Sequence, residues 1–187
     1  MIILRAEDHR RMPWKNGKGV TIAIAIHPAD ASVENFDWRL STATVDSDGP
    51  FSVFEGIERS LSVLTGDGLV LSVEGREDAA LTIDSAPLTF PADSPTHARL
   101  TGSAITDLNA MTRRARATHR LSHHAVSGSA ELVLNGDDCL VFCGEGTVRV
   151  GNVTLSPLDC LRLSGCRDQT LLAEGSGRLY LAEFSSI

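Results

Sequence analysis

The stretch from residue 59 to residue 73, RSLSVLTGDGLVLSV, contains the strongest fold signal in the chain. It places two runs of alternating apolar and small polar residues on either side of Thr65-Gly66-Asp67-Gly68. Successive side chains of a strand point to opposite faces, so each run is typical of a strand with one buried face. A short glycine-rich segment between two such runs indicates a turn. We therefore predict a β-hairpin here.

Similar short strands are predicted along the whole chain, separated by turn residues. They cover 21–26, 36–45, 80–83, 87–90, 105–112, 131–134, 138–142, 147–150, 152–155, 160–163 and 178–184. Residues 113–130 lack an apolar period and are interpreted as a connector. No segment has a sustained helical period, so the sequence predicts an all-β protein, a sandwich or a barrel.

A faint internal repeat suggests two related halves. The glycine pair around Gly66 recurs around Gly144, 78 residues later, and a serine-proline turn at Pro87 recurs at Pro157. Both spacings fit two β-barrels in tandem. We predict a first barrel over residues 1–115, which contains any functional site, and a second, degenerate barrel over residues 116–187 that packs on the first.

Composition limits the choice of partners. The chain has 187 residues, 42% of them hydrophobic, and a net charge of -7, which argues against nucleic acid and anionic membranes. A basic run, Arg113 to Arg120, is interpreted as part of the exposed connector. The apolar run at the N-terminus stops after four residues, and the four cysteines form no CxxC pair. We expect a cytoplasmic protein with reduced, mostly buried thiols.

The stretch Pro13-Trp14-Lys15-Asn16-Gly17-Lys18-Gly19 is a candidate binding loop. Trp14 offers a flat apolar wall, Lys15 a point charge, and Asn16 both donors and an acceptor. The glycines allow the backbone to approach a small polar ligand closely. The alternative, a solvated basic turn before the first long strand, stays open at this stage.

Two predicted strands carry polar residues on one face. Arg39 is followed on its face by Ser41 and Ala43, and Asp107, Asn109 and Met111 share a face of a later strand. Arg59 lies at the end of an apolar face, where a cation commonly reaches the rim of a barrel. Such a face either lines a cavity or is exposed to water. Arg39 is accordingly a ligand contact or a surface residue, and the second strand borders a cavity or forms an exposed sheet edge.

Motifs for catalysis and metal binding are missing. The sequence has no His-x-His segment, no Gly-x-Ser-x-Gly elbow, no P-loop and no dinucleotide fingerprint. The histidines are scattered, and none of the candidate nucleophiles has a partner base nearby in sequence. We expect no metal, no cofactor and no catalytic residue.

Four motifs in the same order resemble the HutD/Ves family. They are the Pro13–Gly19 loop, the strand Phe36-Asp37-Trp38-Arg39-Leu40-Ser41, the segment Asp48-Gly49-Pro50-Phe51-Ser52 with Phe54, Gly56 and Arg59, and Asp107-Leu108-Asn109 with Met111. Lys18 departs from the family, which usually has a glycine there. The resemblance implies double-stranded β-helix (cupin) barrels in tandem, the bicupin layout, without the metal ligands of cupins. The binding residues it implies are Trp14, Lys15, Asn16, Arg39, Arg59, Asp107, Asn109 and Met111.

These observations lead to a functional hypothesis with two alternatives. The favoured function is a metal-free sensor or buffer of a small carboxylate, such as a formylated or formimino-glutamate-type acid, in histidine utilisation or a stress response. One alternative is an isomerase or hydrolase that uses Asp107 or Lys15 as general base. The other is a structural partner protein that uses the Phe51 and Phe54 surface. The oligomeric state stays open, a homodimer included.

Overall fold

The structure, a computed structural model, describes residues 1–13 and 20–187. In these residues the chain forms sixteen strands and a single 3-10 turn, Ala6–Asp8. The strands are β1 (Ile2–Leu4), β2 (Arg10–Pro13), β3 (Val20–His27), β4 (Trp38–Val45), β5 (Gly49–Pro50), β6 (Ile57–Thr65), β7 (Leu69–Val73), β8 (Ala79–Leu81), β9 (Leu88–Pro91), β10 (Thr96–Leu100), β11 (Ile105–Arg113), β12 (Ala117–Leu134), β13 (Asp138–Val150), β14 (Val153–Leu155), β15 (Cys160–Ser164) and β16 (Gln169–Ser186). The all-β prediction is confirmed. Within the described ranges no helix has the length and apolar character needed to cross a bilayer.

The chain divides into two compact units, residues 10–118 and residues 1–9 with 119–187. The predicted boundary lay between residues 115 and 116, and the first nine residues were assigned to the N-terminal half. These residues instead join the C-terminal unit because β1 pairs antiparallel with β15. The turn that follows β1 is held by the Asp159 carboxylate, which accepts hydrogen bonds from the Ala6 amide at 3.0 Å and from the Arg5 guanidinium at 2.7 Å.

The unit of residues 10–118 contains two sheets. One has the order β2-β3-β4-β11-β6-β9, and the other has the order β5-β10-β7-β8. One apolar cluster of this unit includes Leu61, Leu69, Leu71, Phe90 and Ile105, all at most 1% exposed. Burial of large side chains of this kind, worth about 1.5–3 kcal/mol each, stabilises the unit.

The predicted hairpin between β6 and β7 is wrong, although both strands are present. β6 pairs with β11 and β9, whereas β7 pairs with β10 and β8 in the other sheet. The turn therefore carries the chain from one sheet to the next. Gly66 and Gly68 have positive φ angles, and a Cβ at either would lie 2.4 Å from a backbone oxygen. Only glycine fits this close passage.

The unit of residues 1–9 and 119–187 is built on one sheet with the order β1-β15-β13-β16-β12, with β14 also paired to β13. Leu132, Val141, Leu161, Leu179 and further apolar residues fill its core. The connector prediction for residues 113–130 is wrong, because β12 runs from Ala117 to Leu134 as an edge strand. Each sheet order is an open path, so closure into tandem barrels stays a prediction.

Candidate functional site

Three adjacent strands bring the predicted polar residues onto one face of a sheet. Met111 on β11 lies opposite Arg39 on β4 and opposite Arg59 on β6. Directly opposed residues in an antiparallel sheet share a face, so the two arginines flank one methionine. At the next position of β11 on this face, Asn109 lies between Ser41 of β4 and Leu61 of β6. At the position after that, Asp107 lies between Ala43 and Val63.

A cavity of about 300 Å³ lies above this face. The small side chains of Ser41 and Ala43 leave this space above the sheet, as the sequence pattern predicted. The loop after β4 forms the opposite wall. The lining residues are Thr21, Arg39, Ser41, Ala43, Val45, Ser47, Asp48, Gly49, Pro50, Phe51, Ser52, Phe54, Arg59, Asp107, Asn109 and Met111. A volume of this size, with apolar walls and a few polar groups, suits a small metabolite.

Arg39 has an unusual position for an arginine. It is only 5% exposed, and its Nη2 atom is buried with no hydrogen-bond partner among the described residues. Burial lowers the pKa of the Arg39 guanidinium from its ordinary value. Removing a cation from water without a partner is costly, and a native structure seldom tolerates this without a reason.

Arg59 is held in place by its neighbours. Its Nε atom donates a 2.8 Å hydrogen bond to Oδ1 of Asn109, and its guanidinium lies 4.6 Å from the centre of the Phe51 ring. Burial lowers the pKa of Arg59 to about 10, while the charge of Asp107 partly opposes that effect and the charge of Arg39 adds to it. The ring of Phe51 thus covers one face of the guanidinium by a cation–π contact.

Asp107 ends the polar row and is only 1% exposed. Its Oδ1 atom accepts hydrogen bonds from Nδ2 of Asn109 at 2.6 Å and from the Ala43 amide at 3.1 Å. Its Oδ2 atom is buried and has no partner in the ranges 1–13 and 20–187. Burial raises the pKa of Asp107 to about 6, although the Arg59 charge and these hydrogen bonds oppose the rise.

The structure brings together five of the eight predicted site residues: Arg39, Arg59, Asp107, Asn109 and Met111 all line the cavity. Trp14, Lys15 and Asn16 lie outside the described residues. The alternative interpretation of Asp107 to Met111 as an exposed edge is wrong, because β11 lies between β4 and β6. Arg39 is likewise not a surface residue.

Phe51 and Phe54 were not among the predicted site residues. One alternative hypothesis used them as a surface for a protein partner, whereas both are partly buried and line the cavity. No local sequence signal places Phe51 there, because its position follows from the pairing of β5 with the distant strand β10. The partner-protein alternative thereby loses part of the surface on which it rested.

Metal and thiol chemistry have little support in this structure. The described residues contain no group of three or more His, Cys, Asp or Glu side chains placed to hold a metal ion. All four cysteines are free and buried. Burial raises the pKa of Cys143 to about 11 and that of Cys139 to about 12, so neither is poised as a thiolate nucleophile.

Fold and site together define an all-β, cupin-like protein with a buried cavity lined by two arginines. Solved structures that share only 11% and 8% identity with the chain superpose at TM-scores of 0.69 and 0.68 and support the cupin-like fold. The family model HutD matches residues 6–181, and the chain belongs to the HutD family.

Two of the following relatives match nearly the whole chain, and the third matches a little over half of it. An uncharacterised 21.2 kDa protein in the hutC 3' region of Pseudomonas putida is 36% identical over 98% of this chain and 97% of its own length. Protein Ves of Citrobacter koseri is 40% identical over 58% of each chain. The structure of HutD from Pseudomonas fluorescens SBW25 in a formate condition is 34% identical, has a TM-score of 0.85, and covers 100% of this chain and 98% of that one.

Proposed function

We propose that this protein binds a small carboxylate metabolite in the cavity between β4, β11, β6 and the loop after β4, and acts as a cytoplasmic, metal-free sensor or buffer. The proposed ligand is a glutamate derivative with a formyl or formimino group. The P. putida relative in the hutC 3' region supports a role in histidine utilisation, and a role in a stress response is the alternative. The fold proposed for the chain is a pair of cupin barrels, of which the N-terminal one contains this site.

The single observation on which the proposal rests is the unpaired Nη2 of Arg39. An unsatisfied buried polar group costs about 1–3 kcal/mol, and more when it is charged. A ligand carboxylate in the cavity would remove that cost by accepting from Arg39.

The strength of binding follows from the two arginines. A hydrogen bond from a guanidinium to a carboxylate contributes about 1.5–3 kcal/mol, so Arg39 and Arg59 together contribute roughly 3–6 kcal/mol. Contact of the ligand's carbon chain with Pro50, Phe51 and Phe54 adds to this. We expect a Kd in the micromolar range, which corresponds to about 8 kcal/mol. Asp107 and Asn109 would contact the amide or formyl group of the same ligand.

A second candidate function is a metal-free isomerase or hydrolase. The observation that favours it is the pKa of Asp107, which at about 6 lies close to neutrality, where a general base works best. The other carboxylate in the described part of the cavity lining is Asp48, which is exposed to solvent in the loop after β4. Following N-formyl-L-glutamate by NMR in the presence of the protein separates the two functions, since a sensor leaves the compound unchanged.

The test is a titration of N-formyl-L-glutamate by thermal shift and calorimetry. Wild-type protein should gain thermal stability with increasing ligand, because a ligand that binds only the folded state raises the melting temperature. Arg39→Ala should abolish the shift. Arg99→Ala, which removes an exposed arginine of β10 outside the cavity lining, is the matched control and should keep it. An unchanged shift in Arg39→Ala would remove Arg39 from the site.

A further inference from the structure

A continuous hydrogen-bonded row joins the cation Arg59 to the buried carboxyl Asp107. The Asn109 side chain is its centre, because it accepts from Nε of Arg59 at 2.8 Å and donates to Oδ1 of Asp107 at 2.6 Å. The amide orientation fits both neighbours at once. The other oxygen of Asp107, Oδ2, is buried and has no partner in the described chain.

The charges in this row do not balance those of the proposed ligand. Apart from Asp48, which is exposed to solvent, the charged groups of the described lining are the guanidinium cations of Arg39 and Arg59 and the ionised carboxylate of Asp107, which sum to +1. N-formyl-L-glutamate has two carboxylates and is a dianion at neutral pH. A proton on Asp107 restores neutrality, and burial of an unbalanced charge is costly.

We propose that binding of a dicarboxylate in this cavity is coupled to uptake of a proton by Asp107, through the Arg59–Asn109–Asp107 row. The proposal rests on the proposed function. In the free protein the positive charge of Arg59 stabilises ionised Asp107. A bound ligand carboxylate would neutralise that charge. A proton on Asp107 removes a negative charge that would otherwise repel the ligand carboxylates in the same cavity.

The neighbouring charges set the direction of the coupling. Among the described residues, the charged groups that line the cavity with Asp107 are Arg39 on β4, Arg59 on β6, and Asp48 in the loop after β4. Asp48 is exposed, and its Oδ1 accepts from the Leu100 amide. The Arg59 charge lowers the pKa of Asp107, so its neutralisation by ligand raises that pKa above about 6. The complex therefore holds more protons than the free protein, and binding tightens as the pH falls from 8 to 6.

The experiment is calorimetry with N-formyl-L-glutamate in phosphate and in Tris, whose ionisation enthalpies differ, at pH 6, 6.5, 7 and 8. If the ligand raises the pKa of Asp107 by one unit, the protein takes up about half a proton per ligand at pH 6.5, and the Kd falls roughly fivefold from pH 8 to pH 6. Asp107→Asn should bind without proton uptake and with a Kd that does not change with pH. Asp46→Asn, which removes an exposed carboxylate of the same loop outside the cavity lining, is the matched control and should keep the uptake.

The outcomes separate this proposal from the one on which it rests. Tight binding by wild type with no proton uptake and a constant Kd overturns the coupling and leaves carboxylate binding in place. Proton uptake that persists in Asp107→Asn also overturns it, because another group would then be the acceptor. Absence of binding at every pH, with Arg39→Ala and wild type alike, contradicts the proposed function itself.

Discussion

The guanidinium of Arg59 on β6 donates through Nε to the side-chain amide of Asn109 on β11, at 2.8 Å. This bond occupies only one edge of the guanidinium, while Phe51 covers one of its faces. Arg59 is therefore fixed in direction before any ligand enters. Arg39, across Met111 on the other side of β11, has a buried Nη2 that lacks such a partner. The contrast between one anchored arginine and one unpaired arginine underlies the predictions that follow.

Arg39→Met should stabilise the free protein and remove binding. Methionine fills a similar volume without a buried, unpaired charge, and replacement of buried charges by apolar residues is often stabilising. We expect the free energy of unfolding to rise by about 1–2 kcal/mol in urea titrations, with loss of the thermal shift caused by N-formyl-L-glutamate. A variant that is clearly less stable than wild type would mean that Arg39 already has a structural partner.

Asp107→Asn should stabilise the protein at pH 8 more than at pH 5. The folded state raises the pKa of Asp107 from 3.8 to about 6, so it holds the proton more tightly than the unfolded chain. Stability from this group is therefore present at low pH and is lost as the pH rises from about 4 through 6. A shift of about two units corresponds to roughly 3 kcal/mol, an upper limit for the gain at pH 8. Urea titrations at both pH values measure it, and an equal effect at the two pH values would contradict the prediction.

Phe51→Ala should weaken binding without unfolding the protein. Loss of the ring frees Arg59 to move and removes a cavity wall, and a cation–π contact is worth about 0.5–2 kcal/mol. We expect the Kd for N-formyl-L-glutamate to rise roughly 3- to 30-fold by calorimetry. Val53→Ala is the matched control, because Val53 lies in the same loop, is 58% exposed, and does not line this cavity. Equal effects of the two variants would show that the loop acts only as a whole.

The four cysteines should be unreactive in the folded protein. Each is buried with no exposed area, and burial raises the pKa of Cys139 and Cys143 well above neutrality. A thiol-specific chromogenic disulfide should label none of them quickly at pH 7.5 and all of them in denaturant. Fast labelling of one thiol in native protein would reveal a local opening that the structure does not contain.

The strands were predictable from the sequence, but their pairing was only partly so. Period-two alternation identified β3, β4, β6, β7 and β11 to within a few residues, because one buried face imposes that pattern. The turn at Gly66 gave no information on which sheet each strand joins, and this is why the hairpin prediction failed. Only residues 131–134 of β12 were predicted as a strand. Residues 117–130 were missed because an edge strand buries little, so this part of the sequence lacks an apolar period.

The candidate site was likewise predictable only in part: the faces of single strands could be predicted, but their pairing could not. The spacing of Asp107, Asn109 and Met111 and the small residues after Arg39 predicted shared faces within each strand. The register that sets Arg39 and Arg59 on either side of Met111 depends on pairings between residues 72 and 52 positions apart. No local pattern reveals that register, the unpaired atoms of Arg39 and Asp107, or the place of Phe51 over Arg59.

The most direct test of carboxylate recognition is a crystal structure of the protein grown with saturating N-formyl-L-glutamate. The account predicts the ligand in the cavity above β4, β11 and β6, with a carboxylate oxygen about 2.7–3.2 Å from Nη2 of Arg39 and a second carboxylate bonded to Arg59. An empty cavity at saturation, or a ligand bound elsewhere with Nη2 of Arg39 still unpaired, would contradict it.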